Sequence, residues 1–529
     1  MSIHHVLVVS HARAHHVFTR FPHPAAKTSA PMVLLACSLT AMMAGLDGTV
    51  LNVAAPQISH DVAADLSEVL WIVNGYSLAF AALLVTFGTL GDSIGHRRLF
   101  IGGVALFVFG SVLAATSDSV PMLIVARVLS GIGAAAQAPA GIAVVNAAFP
   151  VDRRPTAIGI TVAAASAGLA VGPVIGGALI ELFTWRAIFW VSVPVGIIAI
   201  GLGLMFVGET EKQQRESYDF TGTVLLTVAL VGIIFGLIQQ SQAGWQAAEV
   251  IASLVLGTVC AIAFLRHELR SSEPLLDLAL FRNPAFRSPI VVGAILSFGL
   301  ISVFLFISIY YQSVRGLSAI ETGLLYLPTT VMIVVLAPFT GTLLKHVAPR
   351  TVVSAGLLIA AAGLAMYAGI TPMTAIVWLA IAQLLIGIGV GLAFPPLSNL
   401  ALDAVEKARA GLAISIMKTS REVVGTLGLA VMGILVVTFG DRSLHSAVAD
   451  AGLPPSVAET LAGVKVVGDQ DAVLESIPAD DRNQVIQLIT ESAASGIGTA
   501  LAIGSALIVI CAIYAWRTIP GSVAEKEDA

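Results

Sequence analysis

Five ionisable side chains stand inside stretches that are otherwise apolar: Asp47, Arg127, Lys418, Arg421 and Glu422. Asp47 lies in Leu46-Asp47-Gly48-Thr49-Val50-Leu51-Asn52-Val53-Ala54-Ala55-Pro56, in the second half of an apolar run that begins at Pro31. A carboxylate within hydrocarbon costs about 2.5–3.5 kcal/mol on insertion scales, so it faces a bundle interior and has a task there. The other reading, an Asp that ends a helix near the headgroups, fits poorly with the apolar residues from Val50 to Ala55 beyond it. The chemistry open to such a carboxylate is uptake and release of a proton. Arg127, in Leu123-Ile124-Val125-Ala126-Arg127-Val128, needs a partner at that depth. Asp47 is the candidate, directly or through water; the alternative is an Arg that snorkels to the surface from one turn inside its span. Arg421 and Glu422 are adjacent and point to different sides of a helix. Lys418 and Glu422, at i and i+4, can pair, which would make those charges structural. Otherwise Glu422 is a second protonation site.

The elements that must position these groups are membrane helices. The chain has 529 residues, of which 57% are hydrophobic and only 11% charged. Soluble domains carry about 25% charged residues, so this is an integral membrane protein. A net charge of -5 gives no sign of nucleic-acid binding. No run resembles a GxxxxGK[ST] phosphate loop, which speaks against ATP hydrolysis. No set of residues suggests an enzyme. Cys37, Cys260 and Cys511 all fall in apolar spans, so neither a disulfide framework nor a metal cluster is expected. The first thirty residues hold six of the eleven histidines and lack the apolar core and cleavage site of a signal peptide. They read as a cytoplasmic extension, a metal-binding tail, or a product of start-site choice upstream of Met32.

Hydropathy gives fourteen spans, near 32–56, 69–91, 98–116, 120–149, 156–180, 186–207, 220–239, 248–266, 289–312, 320–344, 350–369, 373–396, 409–438 and 495–516. Basic residues gather in alternate connections: Arg97 and Arg98; Arg153 and Arg154; Lys212 and Arg215; Arg266 to Arg287; Lys345 and Arg350; Lys407 and Arg409. That alternation predicts that both termini are cytoplasmic. The segment 440–493 carries nine acidic residues against Arg442, Lys465 and Arg482, and is expected to be an external loop with short surface helices at Pro455–Val464 and Asp480–Ser492. A faint repeat relates the turn 88–98 to the turn 341–350. It divides the chain into a tail (1–31), a six-helix half (32–207), an inserted helix pair (208–266), a second six-helix half (267–516, with the acidic loop) and a tail (517–529).

Two further motifs could move helices. In the turn after the second span, Gly88 and Gly95 permit close backbone approach, and Gly95 can take a positive φ. Asp92 can sit at the next helix N-terminus or pair with Arg97 or Arg98, forming a charge latch. The alternative is an ordinary charged turn that sets topology. In the fifth span Gly168, Gly172 and Gly176 form one small-residue face, followed by Gly177, and Pro173 bends the helix. That combination suits the sealing of one side of a pathway.

On these motifs the sequence resembles the major facilitator superfamily, specifically its fourteen-helix drug:proton antiporter branch. The resemblance rests on Leu46–Pro56, the turn Gly88–Arg98, Arg127 with Gly131, and Gly168–Gly177, and covers nearly the whole chain. Echoes are Trp71, Tyr76, Trp185-Arg186 with Phe189, and Tyr311-Gln312 before Gly323 and Pro328. Departures are Ser93 and His96 where basic residues are usual, Ser192 where Asn is common, and Glu422 where an uncharged amide is common. The resemblance implies an all-α fold of two six-helix halves plus two inserted helices, working by alternating access and driven by the proton gradient without cofactor or metal. It implies a proton-coupling set of Asp47, Arg127 and Glu422. A midplane substrate cavity would be lined from Asn52, Asn74, Gln137, Asn146, Phe298, Phe304, Tyr310 and Met417. Expected partners are protons, lipophilic or amphipathic small molecules and membrane lipid, with an accessory export protein left open. A dedicated exporter of one metabolite and a non-transporting sensor are the competing readings.

Overall fold

The computed structural model describes residues 29–209, 219–271, 274, 276, 278–406, 410–451, 453–462, 466 and 477–521. The histidine-rich tail, Lys27, Lys212, Arg215, Lys407, Arg409, Lys465, Asp469, Asp471, Glu475 and Lys526 lie outside them. Every described element is helical. Thirteen helices are long and apolar enough to cross a membrane, and Pro349–Ala365 is a shorter apolar helix that supplies a fourteenth crossing. This is a multi-pass membrane protein.

The first half comprises α1 (Ala30–Asp61), α2 (Leu66–Ile94), α3 (His96–Ala115), α4 (Val120–Ala148), α5 (Arg154–Leu182) and α6 (Ala187–Phe206), the last interrupted near Trp190. The inserted pair is α7 (Phe220–Ala243) and α8 (Ala248–Glu268). The second half comprises α9 (Pro284–Ile309, continuing into a π-turn at Tyr310–Val314), α10 (Ala319–Leu343), α11 (Pro349–Ala365), α12 (Ile376–Asp403), α13 (Ala410–Asp450) and α15 (Ala479–Thr518). A short helix, α14 (Pro455–Ala462), lies between the last two. The packing repeats with a shift of eight helices. α1 packs on α5, α2 on α4 and α3 on α4; correspondingly α9 packs on α13, α10 on α12 and α11 on α12. The equivalent helices α2 and α10 even begin alike. Asp65 with Glu68, and Ser318 with Glu321, form capping boxes that satisfy backbone donors at each helix start. The inserted hairpin is held at its base by His267 on Asp219 at 2.7 Å and lies against α2 and α13.

Both described chain ends lie on one side, here the terminal face, since α1 starts and α15 ends there after an even number of crossings. At the opposite, distal face the halves close on each other. A Cβ at Gly177 would strike the backbone of Ala319 and Ile320, one at Gly323 the carbonyl of Pro173, and one at Gly433 the side chain of Leu70. The Gln312 amide donates to the Val53 carbonyl at 2.8 Å, and Ile320 N–H approaches Glu181 at 3.4 Å. Gly48, in mid-helix on α1, is exposed, and a Cβ there would meet nothing within 4 Å.

The expected loop at 440–493 is not a loop at its ends. α13 runs on to Asp450 and α15 begins at Ala479, so both helices stand beyond the hydrocarbon. At 1.5 Å per residue each is about 60 Å long, against a core of about 30 Å. Leu444, Val457, Leu461, Val466, Ile477, Val485 and Ile489 bury one another in a small core of their own, with Val314 of the π-turn packed against it. Apolar residues at helical spacing lie among the acids, and they fold this segment into a distal cap.

Candidate functional site

Asp47 sits fourteen residues before the end of α1, about 21 Å along the axis. It is 3% exposed, and Arg127 is 2% exposed. Nη1 of Arg127 donates to both carboxylate oxygens, at 2.8 and 2.9 Å. The Arg therefore does not snorkel; it turns inward to the carboxylate eighty residues away in sequence. Aromatic faces hold it there. The guanidinium lies 4.6 Å from the ring centre of Tyr76 and 5.8 Å from that of Phe189, contacts worth about 0.5–2 kcal/mol each. Tyr76 is in turn set by Phe80, stacked on it, and Phe107, at its edge. Gly131 lets α4 pass close beside that residue, since a Cβ there would strike the Tyr76 carbonyl. Apolar packing of α1, α2, α4 and α6 thus fixes one buried ion pair.

The second half contributes α13. Gly433 meets Leu70 of α2, and Glu422 is eleven residues, about three turns, before it, so Glu422 points the same way. The Tyr76 hydroxyl lies within electrostatic reach of Asp47, Arg127 and Glu422 together. Arg421 turns to the other side. It donates to Ser398 Oγ at 3.2 Å, lies over Phe394 and fills the space left by Gly293. No ion pair joins Lys418 to Glu422 among the described contacts, although they are one turn apart and interact at longer range. The expected i, i+4 pairing is therefore corrected: among the described residues the two side chains form neither an ion pair nor a hydrogen bond with each other.

Asn52, Asn74 and Gln137 are buried amides with side-chain atoms that bond to no protein group. Buried polar atoms are normally satisfied, so these positions suit polar parts of a ligand. Asn146 and Phe298 are half-buried. Three expected cavity residues are packed within the second half. Phe304 packs on Tyr326 at 5.1 Å between ring centres. Tyr310 is wholly buried and donates to the Thr371 carbonyl at 2.7 Å. Met417 joins Phe286, Ile290, Ala401 and Ala413 in a separate apolar cluster. In each case the helix rotation, which an all-round apolar helix does not reveal, turns the side chain towards neighbours in its own half.

The glycine stripe explains how α1 and α5 approach. A Cβ at Gly168 would strike the Met42 carbonyl, at Gly172 Thr49, and at Gly176 Val50, while Gly45 of α1 faces Ala165 reciprocally. Thr49 Oγ1 donates to the Leu169 carbonyl at 3.1 Å. The stripe docks α5 on the helix that carries Asp47, and Gly177 with Pro173 then meets α10 at the distal seal. A family model for the Major Facilitator Superfamily matches residues 37–429. The chain belongs to this superfamily.

Among curated relatives it is 32% identical to the tetracenomycin C resistance and export protein of Streptomyces glaucescens, over 92% of this chain and 91% of that one. It is 31% identical to the multidrug resistance protein Stp of Mycobacterium tuberculosis, over 93% and 92%. A solved bacterial homolog of the human lysosomal transporter Spinster, inward-facing and unoccupied, superposes with a TM-score of 0.64 over 95% of this chain and 98% of that one, at 17% identity. This facilitator is a transporter.

Its turn after α2 differs from the expected latch. Gly95 does adopt φ 98°, where a side chain would be strained, and Gly88 is at ordinary distance from Pro139. Asp92, however, contacts His96 Nε2 at 3.1 Å. Arg97 instead donates to the Leu204 carbonyl at 2.8 Å, and both Arg97 and Arg98 approach Glu209, at 3.5 and 3.8 Å. Asp92 thus sits at the start of the next helix, as one alternative had it, and only the pairing with Arg97 or Arg98 is corrected: His96 opens α3 one turn from Asp92, while the next two side chains project towards the end of α6. Tyr76 and Phe189 are the site residues that spacing left unassigned. The family resemblance includes both, but their signal in spacing is only that of aromatics among apolar residues.

Proposed function

We propose that this facilitator exports drugs, antibiotics and similar amphipathic molecules from the cell in exchange for protons, by alternating access across the cell membrane. The alternation of basic residues makes the terminal face cytoplasmic, so the face at which the halves close on each other is the outer one. The observation that carries the reading is the buried Asp47–Arg127 pair. Asp47 is either charged and bound to Arg127 or protonated and released from it, because a lone buried charge is far costlier than a pair. Proton uptake thus changes what α1 and α4 can do to each other. Glu422, which forms no ion pair among the described contacts and lies on the face of α13 that meets α2, is the second proton site. One charge moving through 100 mV is worth about 2.3 kcal/mol, ample to drive export. Resistance and export functions in the relatives' names support drug efflux. The name of the tetracenomycin relative also supports a narrower reading, export of one antibiotic-like metabolite, which a narrow resistance profile would reveal.

The test is proton flux in proteoliposomes on addition of candidate drugs. Wild type is expected to move protons when drug is added, and Asp47→Asn to lose that coupling. Full drug-coupled flux in Asp47→Asn would move the obligatory proton site to Glu422, tested in turn by Glu422→Gln. A wild type that moves no protons with any compound of a broad panel would remove the multidrug reading.

A further inference from the structure

Gln312 belongs to neither the charged pair nor the cavity, yet it makes a side-chain hydrogen bond from one half of the molecule to the other. Its Nε2 donates to the Val53 carbonyl of α1 at 2.8 Å and to Ser308 Oγ in its own helix at 3.0 Å. Both amide protons are therefore used. The acceptor sits at a break in α1. Pro56 has no N–H for the Asn52 carbonyl, and its ring crowds that turn. Beside that break the Val53 carbonyl accepts from a side chain outside the helix.

The donor sits at a second irregularity. Tyr310–Val314 is a π-turn, a form that recurs at functional sites. One extra residue in a turn rotates the downstream side chains by about 100°, and here the rotated residue meets α1. The turn is anchored in its own half. Tyr310 donates to the Thr371 carbonyl, and the hydroxyls of Tyr311 and Tyr367 meet at 2.7 Å. Gln383 Nε2 reaches Tyr311 at 3.4 Å, and Val314 packs against the distal cap. Gln312 consequently moves with the second half, whereas Val53 moves with the helix that carries Asp47.

We propose that Gln312 is a distal latch, a positioning residue whose bond to the Val53 carbonyl holds α1 against the second half in the distal-closed form and is given up when the distal face opens. Such a latch rests on the proposed alternating access. The Gln312–Val53 bond, the capping of α10 and the glycine contacts at 177, 323 and 433 together form the seal. Of the two side-chain hydrogen bonds across it among the described residues, Gln312 to Val53 at 2.8 Å is shorter than Ile320 N–H to Glu181 at 3.4 Å, and a single substitution removes it without altering backbone approach.

The experiment uses Leu70→Cys as a reporter of the distal seal in a chain with Cys37, Cys260 and Cys511 replaced by Ala. Leu70 is 2% exposed beneath Gly433. Modification by a charged, membrane-impermeant thiol reagent from outside is followed in the absence and presence of a proton gradient. Gln312→Leu and Gln312→Met are expected to raise the rate about fivefold to tenfold, the shift set by loss of one net hydrogen bond. Ser308→Ala, which spares the bond to Val53, is expected to leave the rate at that of the parent. Equal rates in the parent and both Gln312 variants would overturn the latch. So would an equal rise in Ser308→Ala, which would make the effect general loosening. If the parent's reporter never changes its reactivity with pH gradient or drug, alternating access itself falls, and that result is separate because it is read without any change at Gln312.

Discussion

At the scale of single residues, the strongest commitment of the chain is the buried pair of Asp47 and Arg127. Two charges removed from water are tolerable together and very costly apart, so breaking the pair from one side costs about 3–5 kcal/mol. Asp47→Asn and Arg127→Gln should each lower thermal stability in detergent. The double variant should be more stable than the sum of the two losses allows, because it leaves no orphaned charge. A double-mutant cycle measured by thermal unfolding checks this; additive losses would mean that the pair is not coupled in the folded protein. The pair was legible in the sequence because burying an ion needs an explanation, and only one carboxylate lay at matching depth in the first half. Tyr76 and Phe189 were not legible in the same way. An aromatic in an apolar run has an adequate explanation in packing, and nothing in spacing says which one faces a guanidinium. The same ambiguity worked in reverse for Phe304, Tyr310 and Met417, whose side chains fill their own half.

Among the elements, α5 shows that one row of small residues can serve two different ends. Gly168 faces the Met42 carbonyl within the first half, whereas Gly177 faces Ala319 and Ile320 across the seal. Overpacking a tight contact costs about 1–3 kcal/mol, but where the neighbour is free to move away the cost becomes a change of conformation. Gly168→Val should therefore lower the unfolding temperature, since α1 and α5 stay together in every state. Gly177→Val should leave unfolding nearly unchanged and favour the distal-open form, seen as faster modification of Leu70→Cys. The reverse pattern would mean that the seal, not the α1–α5 contact, is the rigid part. The stripe and its proline were readable as a packed, bendable contact. Which partner each glycine meets was not, because a stripe fixes a helix face but not the helix it touches. The turn at Gly95 was similarly half-readable: its positive φ followed from glycine type, while the choice of Asp92 for His96 over Arg97 and Arg98 depends on where α6 ends.

For the molecule as a whole, hydropathy yielded the fourteen crossings because the bilayer imposes helical length and apolarity on every one. Beyond the bilayer the expected helices at Pro455–Val464 and Asp480–Ser492 have counterparts at Pro455–Ala462 and within Ala479–Thr518, but acidic residues hid that the second is continuous with the last crossing. α13 and α15 therefore continue as one cap with α14, built on Leu444, Leu461, Val485 and Ile489 at helical intervals. A cap with its own core is a distinct unit of stability. Leu461 is 1% exposed within it, and burial of a leucine is worth about 1.5–3 kcal/mol. Leu461→Asp should open the cap locally, and limited proteolysis should then cut between 450 and 479 under conditions where the wild type is spared. The cavity, the Asp47–Arg127 pair and the glycine seal share no residue with that core, so drug-coupled proton flux through the same variant should persist. The cap reaches the transport machinery through Val314, two residues after Gln312. Persistence of flux together with faster modification of Leu70→Cys would therefore make the cap a support for the closed distal face. Loss of flux with an intact membrane domain would instead make the cap part of the export route itself.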